Sequence, residues 1–260
     1  MARLAASIAL LAAVALAAAP GAAARPLEAW LDRQRCPPPG FDALQDFNVT
    51  QYIAQRWFVQ KQEPLVYQPA DRLFCVFAEY QPLREDPLDG LLVNNYANEG
   101  AVNGPVVGTS EVADGPLTTA TIPNKRRPSK LRVAISLGGG ESFRPIQLGR
   151  GGDYWVVAAG QSVDPADRSG NLYDWAIVTG GRPNRRSNGA CATGSPFGLV
   201  RRFQTNNVGL WLFTRKPIDP VNTQLMMGKL AELGLDPSGL LDVQQQGCTY
   251  ACGPGSGQCN

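Results

Sequence analysis

The run Leu73-Phe74-Cys75-Val76-Phe77-Ala78-Glu79-Tyr80 decides the fold class. It is apolar and aromatic, free of Gly and Pro, and too short for an ordinary helix, so it reads as a strand. Asp86-Pro87 follows as a turn, and 91–96 makes a second run of the same kind. Working outward, further runs lie at 56–60, 117–122, 131–137, 154–158, 173–179 and 210–214. The gaps carry turn chemistry: Glu63-Pro64, Asn103-Gly104-Pro105, Asp114-Gly115, Gly138-Gly139-Gly140, Gly151-Gly152, Gly180-Gly181 and Asn188-Gly189. The chain holds 28 Gly and 21 Pro among 260 residues, about one and a half times the usual share. Eight short strands without intervening helices predict an all-β closed barrel or a sandwich.

One helix interrupts this pattern. Asp219 is a good N-cap, Pro220 suits the first helical position, and Gly234 supplies a left-handed stop. Thr223, Met226, Met227, Leu230 and Leu233 fall on one stripe, which predicts a helix docked outside the sheet. Asp46 to Tyr52 predicts a single helical turn before the first strand, and Cys36-Pro37-Pro38-Pro39-Gly40 a rigid extended entry.

Composition removes whole classes of chemistry. The chain has no histidine, which excludes Ser-His-Asp and Cys-His nucleophile pairs, His-ligated zinc and proximal-His haem. No cysteine pair has zinc-ligand spacing, so no metal and no cofactor are expected. With 24 basic and 22 acidic residues the net charge is +2, too small to point to nucleic acid.

Residues 1–24 read as a signal peptide: Arg3, a 16-residue apolar run from Leu4 to Ala19, Pro20-Gly21, then Ala22-Ala23-Ala24 before the cleavage point. Residues 25–35 form a polar segment, 36–250 the folded domain, and 251–260 a Cys/Gly-rich tail. Export fits the even number of cysteines: Cys36, Cys75, Cys191, Cys248, Cys252 and Cys259. Six cysteines admit fifteen pairings, and counting does not choose among them.

Three strings in order resemble the lipocalin family: Tyr52-Ile53-Ala54-Gln55-Arg56-Trp57-Phe58-Val59, Tyr173-Asp174-Trp175-Ala176-Ile177-Val178-Thr179-Gly180, and Leu210-Trp211-Leu212-Phe213-Thr214-Arg215. The first departs from the family pattern, because Gln55 stands where glycine belongs. Within the family the chain is most similar to the apolipoprotein D and bacterial-lipocalin branch, and especially to plastid lipocalins of plants and algae. The supporting strings there are Cys36-Pro37-Pro38-Pro39-Gly40-Phe41, Cys75-Val76-Phe77-Ala78-Glu79-Tyr80 and Asn206-Asn207-Val208-Gly209-Leu210-Trp211.

The resemblance implies an eight-stranded up-and-down antiparallel barrel with the C-terminal helix packed outside. It also implies disulfides Cys36–Cys191 and Cys75–Cys248, which leaves Cys252 with Cys259. Family position puts Trp57 inside the closed end, covered by Arg215 in a structural closure that touches no ligand. If Arg215 points inward, Phe213 and Trp211 do too. If Cys75 faces out, Phe77 and Glu79 face out too, which places the only acid of that strand in solvent, while Phe74, Val76, Ala78 and Tyr80 face in. Trp57 carries Val59 inward with it. Tyr154, Val156 and Ala158 are further candidates of unfixed parity.

These residues predict an apolar, aromatic cavity for a small hydrophobic ligand: a fatty acid, a lipid, an oxidised lipid or a carotenoid-like molecule. The loop over 180–207 carries Arg182, Arg185, Arg186, Arg201 and Arg202 and no acid. Such a rim suits an anionic amphiphile or peripheral contact with an anionic membrane. Arg144 and Arg150 sit against Glu141 and Asp153 in another loop at the same end, and Lys125-Arg126-Arg127 is expected to be solvated at the closed end. Asn48-Val49-Thr50 is a glycosylation sequon.

The expected function is therefore a non-enzymatic carrier or scavenger, and resemblance to plastid lipocalins implies protection of membranes from lipid peroxidation. Two alternatives stand beside it: an enzyme on a lipocalin-like barrel resembling xanthophyll de-epoxidases, and an interaction module with a filled barrel. The compartment expected is the secretory pathway, with the plastid or thylakoid lumen of an alga using secretory-route targeting as the alternative.

Overall fold

Each apolar run forms a strand, and the strands close on themselves. The structure is a computed structural model, and it describes residues 35–108, 117–137, 146–147, 151–195 and 197–250. The barrel strands are β1 (Trp57–Gln62), β2 (Phe74–Pro82), β3 (Leu91–Asn98), β4 (Leu117–Thr121), β5 (Lys130–Leu137), β6 (Gly152–Gly160), β7 (Trp175–Thr179) and β8 (Leu210–Thr214). Each pairs antiparallel with the next, and β8 returns to β1, where Phe58 faces Thr214 and Gln62 faces Trp211. Closure of the eight leaves the barrel itself no free edge. This is the up-and-down barrel that the resemblance implied.

Short strands extend the walls: Val106–Gly108 pairs with β3, Ile146–Gln147 with β5 and Leu241–Asp242 with β1. The β7–β8 connection folds into a hairpin, Arg185–Ser187 with Ala190–Ala192, and then a helical turn α2 (Gly198–Arg202), after α1 (Val49–Ile53) and before α3 (Pro220–Glu232).

Helix α3 starts as its sequence dictates. The Asp219 side chain accepts from the Asn222 amide at 3.0 Å, Pro220 holds the first position, and Gly234 turns at φ +66°. Met226 and Leu230 are buried against Val157, Trp175, Ile177, Leu210 and Leu212 on the outside of the barrel. The deepest stripe is Asn222, Met226 and Leu230, so a polar residue opens it where the sequence pattern pointed to Thr223.

Two disulfides fasten the segments flanking the barrel strands to the barrel. Cys36–Cys191 ties the entry segment to the β7–β8 hairpin, and Cys75–Cys248 ties β2 to the C-terminal segment. Both fit an oxidising compartment. Cys252 and Cys259, the leader, residues 25–34 and the tail at 251–260 lie outside the described residues.

From Cys36 the chain runs along the barrel wall to its far end. On the way, the Leu44 amide donates to Val156 O at 2.9 Å and Ser129 Oγ donates to Leu44 O at 2.6 Å. Asp42 pairs with Lys130 at 2.6 Å and with Arg127. Partial burial raises the Asp42 pKa, but the hydrogen bonds from Lys130, the Ala43 amide and Arg127 outweigh it and hold the carboxyl at about 2.

Two expectations about charge are corrected here. Lys125 and Arg127 are not simply solvated, since Lys125 pairs with Asp86 and Asp89 across the closed end and Arg127 with Asp42. Glu79 does face outward, yet it is mostly buried under Arg56 at 2.7 Å, and that guanidinium also lies 3.9 Å over the Phe77 ring. The same guanidinium packs on an outer aromatic cluster of Phe58, Phe77 and Tyr96 beside the Cys75 disulfide.

Candidate ligand-binding cavity

The ends of the barrel are built differently. At the closed end, the α1 turn begins at Asn48, whose side chain accepts from the Gln51 amide at 3.0 Å. Asn48 is exposed there. Phe47, Val49 and Tyr52 plug the barrel from below. Trp57 is wholly buried and donates its indole N–H to Tyr52 O at 2.8 Å.

The Arg215 guanidinium stacks 3.4 Å from the Trp57 ring centre, a contact of about 0.5–2 kcal/mol. Its five N–H groups all have carbonyl acceptors: Nε on Tyr173, Nη1 on Gln55 and Arg56, and Nη2 on Gln51 and Tyr52. Burial pushes this guanidinium down to about 10, so it stays charged at neutral pH. Gln55, the departure from the family pattern, serves here through its backbone oxygen.

Above this plug lies a cavity of about 560 Å³, within the range of small-molecule sites. The connections after β1, β3, β5 and β7 surround its mouth: Tyr67, Gln68, Val107, Gly108, Gly151 and Asn206 all line it. Of the residues expected inside, Val59, Val76, Ala78, Tyr80, Trp211 and Phe213 line the cavity.

Phe74 is not among the lining residues. Cys75 adopts φ +55° and the β2–β3 register is irregular between Phe74 and Phe77. Strict alternation therefore cannot be carried back through the disulfide anchor to Phe74.

Three polar features of the cavity escape the sequence reading. The first is a chain of phenols: Tyr154 Oη lies 2.7 Å from both Tyr52 Oη and Tyr80 Oη. Burial pushes all three phenols up, Tyr80 to about 12. Tyr80 and Tyr154 line the cavity, and the Tyr154 ring lies 6.3 Å from Trp211.

The second is Gln62. Alternation from Trp57 and Val59 would send Lys61 inward, but a bulge between Val59 and Lys61 shifts the register by one. Lys61 instead reaches Asp242 outside the barrel, and Gln62 lines the cavity, wholly buried. Neither its amide nitrogen nor its amide oxygen has a hydrogen-bond partner among the described residues.

The third feature is the state of the charged residues. Among the described residues, the charged ones in the lining are Arg72 and Asp153. Each is paired, Arg72 with Glu99 at 2.9 Å and Asp153 with Arg132 at 3.5 Å. Of the rim arginines, Arg182, Arg186 and Arg202 are exposed, and none lines the cavity. The side chain of Arg201, and Glu141, Arg144 and Arg150, lie outside the described residues.

The mouth is shaped by the string before β8. Gly209 turns at φ +117°, and a Cβ there would meet the Trp211 ring at 2.4 Å. Only glycine lets that ring fold back beside the strand. Asn207, at φ +56°, accepts from the Asp153 amide at 2.8 Å and joins the β7–β8 connection to β6.

The same connection and its neighbour across the mouth expose large apolar side chains: Phe197 (72%), Leu199 (76%), Val200 and Phe203 (68%) around α2, with Val66 and Tyr67 on the β1–β2 connection.

No protein-family model and no curated protein matches the chain. Solved structures with some likeness include lobster apocrustacyanin A1, at 10% identity and a TM-score of 0.44 over 76% of this chain and 79% of that one. Apocrustacyanin C1 gives 12% and 0.46 over 79% and 84%. The cockroach allergen Per a 4 gives 13% and 0.43 over 78% and 90%. At these scores the likeness carries no functional argument, and the cavity has to be read from its own residues.

Proposed function

We propose that the protein is a non-enzymatic container that takes up a small hydrophobic ligand through the open end of its barrel. The carrying observation is the cavity of about 560 Å³, lined mainly by apolar and aromatic side chains and opening between four loops. A space of this size inside a closed barrel supports storage over a filled interaction module.

The placement of acids supports binding over catalysis. Glu79 is held outside by Arg56, and Asp174 accepts the Ser162 and Ser169 amides at 2.8 Å. Neither lines the cavity, and Asp153, which does, is paired with Arg132. An acid–base pair facing a bound substrate is thus lacking among the described residues.

The apolar fringe and the arginines around the mouth support loading from an anionic membrane surface, with the barrel resting mouth-down. Aromatic and aliphatic groups would enter the headgroup layer while Arg182, Arg186 and Arg202 meet lipid charge, at about 1 kcal/mol each. A secreted protein fits the two disulfides. Resemblance to plastid lipocalins extends the proposal to protecting membrane lipid from peroxidation.

Organic extraction of the purified protein followed by mass spectrometry tests the container reading. One class of hydrophobic molecule recovered near one per chain is expected. A protein that carries none, and takes up none from vesicles, would be an interaction module.

A further inference from the structure

The container reading leaves open what the cavity recognises, and the polar atoms on its wall bear on that question. Three phenol hydroxyls carry three protons, and the two bonds among Tyr52, Tyr154 and Tyr80 use two of them. One proton remains. Tyr52 sits in the plug and is not among the lining residues, whereas Tyr80 and Tyr154 face the cavity, where a ligand oxygen can take it. Each phenol oxygen also keeps an acceptor lone pair, so the pair can meet a ligand oxygen that either donates or accepts.

Higher on the wall the Gln62 amide offers both a donor and an acceptor, neither of them satisfied. Buried polar groups are normally paired, so an orphan amide at a cavity wall marks a place where something else supplies the partner. Trp57 and Gln62 stand five residues apart on β1. That is about 16 Å of strand, or about 13 Å along a barrel axis for the usual strand tilt.

Among the described residues, no cation on the wall is spare. Arg72 is paired with Glu99, and Arg215 has given all five N–H groups to carbonyls behind the Trp57 ring. An ionised carboxylate seated here would lose its hydration without gaining a counterion.

We infer that the cavity selects a neutral, elongated ligand with a hydroxyl or carbonyl oxygen at its buried end, seated on Tyr80 and Tyr154. Its second neutral hydrogen-bonding group lies nearer the mouth and meets the Gln62 amide. The inference rests on the container reading and narrows it: the basic rim faces the membrane, and the ligand itself is uncharged.

The test is a fluorescence titration of the full, disulfide-bonded protein at pH 8 with 1,12-dodecanediol, 1-dodecanol and dodecanoate. The diol is expected to bind most tightly and dodecanoate most weakly, in steps of about tenfold, the scale of one hydrogen bond. Tyr154→Phe should weaken the diol and the alcohol by about tenfold and leave dodecanoate unchanged. Gln62→Leu should weaken the diol alone and raise the melting temperature of the ligand-free protein, because an unpartnered amide is removed.

If dodecanoate binds as tightly as dodecanol, or if neither variant changes the order, the inference is overturned while the container survives. If no probe binds at all, the container reading falls with it.

Discussion

The closed end of the barrel commits its polar groups, and the open end leaves side chains uncommitted. At the bottom, one guanidinium makes five hydrogen bonds and an aromatic stack, and Lys125, Arg127 and Lys130 are paired with carboxylates. At the top, Phe197, Leu199 and Phe203 stand in solvent and Gln62 is buried without a partner. The difference teaches where stability and function are stored. Interactions at the bottom hold the fold, while the unsatisfied groups at the top are costs that only a ligand or a surface can offset.

The sharpest way to break the comparison is to damage the bottom. Trp57→Ala should cost about 3–5 kcal/mol in urea unfolding, since it removes a wholly buried indole and the platform for Arg215. A loss under 1 kcal/mol would mean the plug is not structural. Replacing Cys36 and Cys191 together by serine should cost about 2–4 kcal/mol and free the entry segment, read as faster proteolysis before residue 48.

A smaller effect is expected from acid. The Asp42 carboxyl has its pKa lowered from 3.8 to about 2 in the folded protein. Its contribution is therefore present above about 4 and is lost as pH falls through about 2. Asp42→Asn should flatten this part of the acid-unfolding curve and leave neutral-pH ligand uptake unchanged.

The smallest stability change belongs to the top. Phe197→Ser, Leu199→Ser and Phe203→Ser should each shift stability by no more than about 0.5 kcal/mol, yet together reduce binding to anionic vesicles. Vesicle binding that survives the triple variant and is indifferent to salt would remove the membrane half of the proposal.

The same division explains what could be read in advance. Runs such as 73–80 and 210–214 needed only length, composition and flanking turns, so the strands, the helix cap at Asp219 and the barrel were legible. Parity served wherever alternation was unbroken, as from Arg215 through Phe213 to Trp211. It failed at Phe74 and would have misplaced Lys61, because φ +55° at Cys75 and the bulge before Lys61 each interrupt the alternation. Tyr154 could be named but not aimed, since its meeting with Tyr52 and Tyr80 joins elements 102 and 74 residues apart in sequence. The ion pairs of Lys125 and Asp42 were hidden for the same reason: charge runs say nothing about which acids fold against them.

The most direct test of the container account uses Trp211, which lines the cavity. The delipidated, disulfide-bonded protein is titrated with 1-dodecanol while tryptophan fluorescence is followed, beside a variant in which Ala78→Trp fills the space. The account predicts a saturable fluorescence change at one ligand per chain in the native protein and its loss in the filled variant. A change that never saturates, or that the filled variant retains unaltered, would contradict it.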